Sequence, residues 1–359
     1  MTRRKIVSAA LGASLLARAQ DVGLRKKVRL GMAGFDGHPE EILRPLAQMS
    51  GVELVAIADE GSAPDAMAAA LRQPVVAKAR RYPGVNEMLA SETLDMAAVC
   101  NNNGRRAAAI LACAERKLDV IAEKPLGLNR KELDAVYAAV KRHGIHLGML
   151  LPMRFDPPYL AMRRVVESGA IGEVLQMDAQ KSYQLGTRPE WQTHAATYGS
   201  TILWIAIHGI DLMLWVSGRR FTEAASLQSH VRFPEVGDMQ NVTATLFKMD
   251  NGGMATLRMD YLRPGTAGSH GDDRLRVAGT KGIVEYQEST GVTLVSGDVK
   301  PVTVKDLPPK GSVFADYVQW VIQGKKPALA WDEIVRANEA MLAAEAASVT
   351  HRFVPVRAL

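Results

Sequence analysis

The chain has 359 residues, 47% of them hydrophobic and 23% charged, an ordinary soluble composition whose length points to two domains rather than one. The net charge is +6, but residues 1–29 hold eight basic residues against Asp21 and so carry +7, leaving −1 for the rest. The body has no positive excess to hold a phosphate backbone, which argues against a nucleic-acid partner. Cys100 and Cys113 form no CxxC and no Cys/His cluster, so no metal site is expected. A strand end and a point two helical turns further on lie roughly 12 Å apart, too far for a disulfide, so both read as buried free thiols.

Thr2-Arg3-Arg4-Lys5 precedes a mild apolar run, Ile6 to Ala17, and Ala17-Arg18-Ala19 fits a small-x-small cleavage site. The paired arginines resemble a twin-arginine export signal over residues 1–19, which would make the protein periplasmic; an unused signal, or a basic amphipathic helix, would leave it cytoplasmic. No later stretch offers the roughly 18 consecutive apolar residues of a membrane span.

After a polar linker, Val28 to Gly34 reads as a short buried strand running into glycines. Pro39-Glu40-Glu41 opens a helix, and Val52 to Ala58 is a second strand ending on Asp59-Glu60. This is the order of a dinucleotide-binding unit. Its glycine loop is imperfect. Counted from Gly34, Asp36 and Pro39 stand where the fingerprint wants glycine, and glycines fall instead at 31, 34 and 37. A tight turn would use the same residues. Asp59 can accept from a ribose hydroxyl and should oppose a 2′-phosphate, favouring NAD over NADP; it also fits a helix cap.

Strand and helix then alternate. The expected strands are Asp95 to Cys100, Asp119 to Ala122 and Ile145 to Leu151, and the expected helices Arg105 to Lys117 and Arg130 to His143. Such alternation means a parallel sheet with helices on both faces. Asn101-Asn102-Asn103-Gly104 reads as a turn at a strand's carboxyl end. At the next carboxyl end stands Glu123-Lys124-Pro125, where proline stops the strand. Nicotinamide enzymes of this topology work at that edge, and a lysine there can donate to a substrate oxygen. A solvent-facing strand end would look the same.

Beyond Pro152 the pattern changes. Strands are expected over Glu173 to Leu185, Phe221 to Val231, Gln240 to Lys248, Met254 to Leu262, Arg274 to Ala278 and Gly282 to Tyr286, with hairpin turns at 250–253 and 279–282. This predicts an α+β domain with a large, open, mainly antiparallel sheet over 152–330. A closing helix, Trp331 to Ser348, is expected to return to the first domain. An apolar helix after Gly199 carries Trp204, His208, Asp211 and Trp215 at spacings of 4, 3 and 4, which sets them on one α-helical face. A histidine there can move a proton near neutral pH, or simply be a core residue. The aromatic loop Tyr183 to Tyr198, with Arg188, Trp191 and His194, suits a polyol or sugar; it would equally suit a subunit contact.

Glu123-Lys124-Pro125, Arg154-Phe155 with Pro158, Gly169-x-x-Gly172, His208-x-x-Asp211 and Gly279-Thr280-Lys281-Gly282 occur in an order that resembles the glucose–fructose oxidoreductase / inositol dehydrogenase (Gfo/Idh/MocA) family over residues 28–355. The resemblance implies a Rossmann domain over 28–151 binding NAD, with NADP less expected, and a sheet domain that makes a homodimer or homotetramer. It places Lys124 and His208 as catalytic residues. It matches Gly34, Asp59 and Asn103 to cofactor contacts and sets Lys124 near the nicotinamide; Gly31, Phe35, Asp36, Gly37, Asn101 and Glu123 are expected at the cofactor beside them, and Arg154, Tyr183, Tyr198, Trp204 and Asp211 at the substrate. Two residues depart from the family. Trp204 stands where many members have aspartate, and Asp36 lies in the glycine loop. Three readings follow: a sugar or cyclitol dehydrogenase, an NAD-retaining lyase or glycosidase, and a non-catalytic sugar-binding protein.

Overall fold

The computed structural model describes residues 27–297 and 299–358, so the expected export signal lies outside the described residues. The first domain runs β1 (Val28–Ala33), α1 (Glu40–Leu46), β2 (Val52–Ala58), α2 (Pro64–Leu71), α3 (Pro74–Ala77), β3 (Arg80–Tyr82), α4 (Val85–Ser91), β4 (Met96–Val99), α5 (Asn103–Glu115), β5 (Asp119–Ala122), α6 (Arg130–His143) and β6 (Leu147–Met149). Its six strands are ordered β3-β2-β1-β4-β5-β6 and are all parallel.

The strands are continuous apolar runs because both faces are covered. Met96, Ala98 and Ile121 face the layer of Ile42, Leu46 and Met67, whereas Val99, Val120 and Ala122 face that of Met88, Ile110 and Val136. Helix α6 has the expected limits because its ends are chemically marked. The Asn129 side chain accepts from the Glu132 N–H, and Gly144 takes the left-handed conformation after the last turn.

The second domain contains α7 (Pro157–Glu167), β7 (Val174–Gln184), α8 (Ala195–Tyr198), a π-helical turn at Ile202–Ala206, α9 (Ile207–Ser217), β8 (Phe221–Ser229), β9 (Val242–Met249), β10 (Met254–Arg263), β11 (Gly271–Gly279), β12 (Gly282–Gln287), β13 (Gly291–Ser296) and β14 (Val299–Thr303). There follow α10 (Val313–Gln323), α11 (Trp331–Thr350) and β15 (Val354–Pro355). The sheet has nine strands in the order β14-β13-β12-β11-β7-β10-β9-β8-β15. All its pairings are antiparallel except the central one, β7 with β10.

The stretch Ala195–Ser217 is long and apolar enough to cross a membrane, with mean hydropathy 1.5, but 83% of its apolar window is buried in the fold. It is a core helix packed on the sheet. A Cβ on Gly209 would lie 2.7 Å from Leu257 of β10, so the helix backbone approaches the strand closely. The chain rejoins the first domain sooner than expected. Phe314 and Val318 of α10 pack with Ile42 and Leu43, and Tyr317 lies against Gly148. Helix α11 also returns, through a double hydrogen bond between Arg130 and Glu339.

Candidate active site

The expected site residues gather at the carboxyl ends of β1, β4 and β5, where Lys124 meets Trp204 of the second domain. Gly34 is required there, since its φ is +76° and a Cβ would stand 2.4 Å from the Asn101 Cα. A Cβ on Gly37 would strike the Glu123 side chain. Asp36 is turned aside, its Oδ1 accepting from the Ala63 N–H at 2.8 Å, and burial raises its pKa. Several buried polar atoms here have no protein partner: Asn101 Nδ2 and Oδ1, Asn102 Oδ1, Asp36 Oδ2 and Glu123 Oε2. Donors and acceptors of this kind need a polar partner, water or a bound ligand.

Three residues expected at the cofactor do other work. Gly31 lies within β1, where a Cβ would meet Leu94 and Met88. The Phe35 ring is buried in the core with Leu30 and Ile42. Asn103 opens α5 instead of ending a turn. Its Nδ2 donates to the Tyr198 carbonyl at 2.7 Å, tying the two domains together. Asp59 stands at the end of β2 as expected, but Arg81 binds both its oxygens at 2.8 and 2.6 Å.

Glu123 and Lys124 are wholly buried. Lys124 Nζ donates to the Trp204 carbonyl at 2.9 Å, lies 3.1 Å from the indole centroid, and stands 3.7 Å from Glu123 Oε1. That same carboxylate oxygen meets His38 Nδ1 at 2.5 Å, and the His38 ring stacks on Trp204 with centroids 5.7 Å apart. Burial lowers Lys124 to about 7, with Arg106 and Lys181 adding to the effect against the pull of Glu123. Burial alone would raise Glu123, but His38, Lys124 and Arg106 outweigh it and bring the carboxyl to about 2. His208 is buried in α9 with its Nδ1 unpartnered. Burial, then the charges of Lys124, Lys181 and His38, hold it well below the usual imidazole range.

Two residues that sequence reasoning missed shape this centre. Arg106, wholly buried on α5, donates to the Lys124 carbonyl at 2.8 Å, the Pro125 carbonyl at 3.1 Å and the Asn101 carbonyl, and so holds the turn that presents Lys124. Its position three residues after Asn103, whose Oδ1 it also contacts at 2.8 Å, was the available signal. Lys181 of β7 is buried and paired with Asp273 at 2.6 Å.

The expected substrate residues divide. Trp204 covers Lys124. Tyr183 is half-buried and reaches Asp273 at 3.4 Å. The others are taken up by the fold. Arg154 and Asp211 are 2% and 1% exposed and bound to each other, with Arg154 also paired to Glu333 at 3.1 Å. Tyr198 is buried, its hydroxyl on Thr201 at 3.0 Å. The run is π-helical over Ile202–Ala206 and α-helical only from Ile207, a change of pitch that the spacing did not announce.

Residues 28–150 match an oxidoreductase family with an NAD-binding Rossmann fold, and residues 159–285 match the Gfo/Idh/MocA C-terminal domain. The chain belongs to the Gfo/Idh/MocA oxidoreductase family. The uncharacterized oxidoreductase YrbE of Bacillus subtilis is 28% identical over 227 residues, 62% of this chain and 63% of that protein. Myo-inositol 2-dehydrogenase of Thermotoga maritima is 24% identical over 223 residues, 61% of this chain and 64% of that protein. The matched stretches thus span under two thirds of these curated relatives. A solved Thermotoga maritima structure named as an oxidoreductase gives a TM-score of 0.85 at 27% identity, covering 92% of this chain and 100% of that one.

The crevice of this Gfo/Idh/MocA member fits the dinucleotide of its family. Asn101, Asn102 and Glu123 offer unpartnered polar atoms, Gly34 and Gly37 let the turn pass close to Asn101 and Glu123, and one oxygen of Asp36 is engaged by the Ala63 N–H.

Proposed function

We propose that the chain is an NAD-dependent oxidoreductase that passes hydride between nicotinamide and a carbon of a sugar or cyclitol-like alcohol. The observation that carries this reading is the seat of Lys124: buried at the end of a first-domain strand, its Nζ donates to the carbonyl of Trp204 in the second domain, four residues before the buried His208 on the same helical run. Bound nicotinamide supplies the hydride acceptor or donor. The chain's own residues handle the oxygen and its proton. His208 is an uncharged imidazole at neutral pH and takes or gives the hydroxyl proton, while Lys124 holds the oxygen and stabilises its developing charge. Arg106 keeps Lys124 in place, and the indoles of Trp204 and Trp191, 5.4 Å apart, keep water out.

The test is mass spectrometry of small molecules released from denatured protein, followed by nicotinamide reduction on a panel of polyols. One equivalent of NAD per chain and reduction on at least one polyol support the reading. An empty protein that reduces nothing but binds a sugar refutes it.

Two finer features belong to the same proposal. The open face of the second sheet carries exposed Leu227 and Met254, with exposed Phe353 beside Leu227, which suits a homodimer or homotetramer; light scattering after gel filtration tests this. Residues 1–19 suit export of the folded protein, and cell fractionation tests that.

A further inference from the structure

Arg188 stands on the aromatic loop that follows β7. It is half-buried, with its guanidinium carbon 4.3 Å from the centroid of the Tyr261 ring. One Nη donates to the Gln184 carbonyl at 2.9 Å, and its Nε, closed off from solvent, has no partner. Among the described residues no carboxylate lies within ion-pair distance of it. The two buried lysines differ in this respect. Lys124 is 3.7 Å from Glu123, and Lys181 is 2.6 Å from Asp273. A guanidinium drawn into the fold without a counter-charge costs stability until something supplies one.

Two lines of contact join Arg188 to Lys124. The Tyr261 hydroxyl, under the guanidinium, is 3.4 Å from that of Tyr198, and the Tyr198 ring lies 6.5 Å from Trp204, which covers Lys124. Tyr261 also lies 6.3 Å from Tyr183, whose hydroxyl is 3.4 Å from Asp273, the partner of Lys181. Lys181 in turn is near enough for its charge to act on Lys124 and His208. Beside these lines, Trp191 Nε1 and Asp273 Oδ1 are buried without partners. An indole N–H and a carboxylate oxygen match the hydroxyls of a polyol, whereas an unpaired guanidinium matches an anion.

We propose that the substrate is a sugar or cyclitol-like alcohol bearing a carboxylate, which Arg188 receives while Lys124 and His208 meet the hydroxyl that is oxidised. The inference rests on the alcohol oxidation proposed above and narrows its substrate. A guanidinium is planar, and its N–H groups form a fork that fits a carboxylate with two parallel bonds. The Tyr261 face holds that plane in position. One positive charge answers one negative charge. A phosphate ester carries about −1.5 to −2 at neutral pH and would call for a second free cation, but Lys181 is already held by Asp273.

The experiment measures kcat/KM with NAD on matched pairs, glucose with glucuronate and galactose with galacturonate, for the unchanged chain, Arg188→Gln and Arg188→Lys. Glucose 6-phosphate and galactose 6-phosphate form a third arm. Quenching of tryptophan fluorescence by the same compounds reads binding without turnover, and titration with NADH checks the fold of each variant. The unchanged chain is expected to favour the acids over their neutral partners by about 10²-fold, chiefly through KM. Arg188→Gln brings that ratio near one, Arg188→Lys restores part of it, and NADH affinity is the same in all three. Equal kcat/KM on acids and neutral sugars, a preference for the phosphate esters, or an undiminished ratio in Arg188→Gln overturns the carboxylate assignment and leaves the alcohol oxidation standing. Quenching by the acids alone, lost in Arg188→Gln and without turnover of any compound, upholds the carboxylate contact and overturns the oxidation. Neither turnover nor quenching with any compound overturns both.

Discussion

Lys124 Nζ lies 3.1 Å from the centroid of the Trp204 indole, the ammonium of one domain pressed on a ring of the other. The contact joins a strand end to a π-helical turn, and it makes the state of the lysine depend on how the two domains meet. A cation on an indole gains about 0.5–2 kcal/mol, yet burial penalises the charge by more, which is why Lys124 falls to about 7.

Removing the indole should reverse that balance. Trp204→Ala admits water to Lys124, so its pKa rises toward the ordinary value of 10.5. The neutral amine then appears only at higher pH. The basic limb in the pH profile of alcohol oxidation is expected to shift upward in the variant. A profile unchanged by the substitution would show that the ring does not govern the lysine.

Lys124→Ala and His208→Ala should each lower kcat by roughly 10²–10⁴-fold while NADH still binds, because neither change touches the Gly34 turn or Asp59. Stopped-flow turnover with fluorescence titration checks this pair. Normal turnover in both variants would remove the two residues from the chemistry.

The Asp59–Arg81 pair is expected to set the choice of dinucleotide. Asp59 can accept from a ribose hydroxyl, but Arg81 holds both its oxygens, at 2.8 and 2.6 Å, and offsets its charge. Asp59→Asn should weaken NADH by about tenfold and strengthen NADPH, since the freed guanidinium can meet a 2′-phosphate. Asp59→Asn with Arg81→Ala should lose the NADPH gain. Titration of both cofactors into all three proteins measures it.

Arg154 and Asp211 form a buried pair rather than a substrate contact. Asp211→Asn leaves the guanidinium partly uncompensated and should cost about 3–5 kcal/mol of stability. Denaturant unfolding measures the loss. A change within a few tenths of a kcal/mol would mean that Glu333, 3.1 Å from Arg154, suffices alone.

Much of this architecture was legible because the relevant signals are local. The runs at Val52–Ala58 and Asp119–Ala122 are strands at the expected limits, and Asn129 and Gly144 fix α6. Lys124 was legible because proline ends its strand. The parts that were not legible depend on distant residues. Strand β7 pairs in parallel with β10, about 80 positions away in the chain, which no hairpin signal announces. Helix α10 reads as an ordinary amphipathic helix until Phe314 meets Ile42. Arg106 and Lys181 look like surface cations, and only the folded chain supplies the carbonyls and the carboxylate that bury them. The π-helical turn at Trp204 was not legible either, since a pattern read at 3.6 residues per turn carries no sign of it.

The most direct measurement is deuterium transfer from a carbon-deuterated polyol to nicotinamide, read by mass spectrometry of the recovered dinucleotide. One deuterium per reduced nicotinamide is expected with the unchanged chain, and next to none with Lys124→Ala or His208→Ala. Absence of label on every polyol, or equal labelling by all three proteins, would contradict the assignment of Lys124 and His208 to alcohol oxidation.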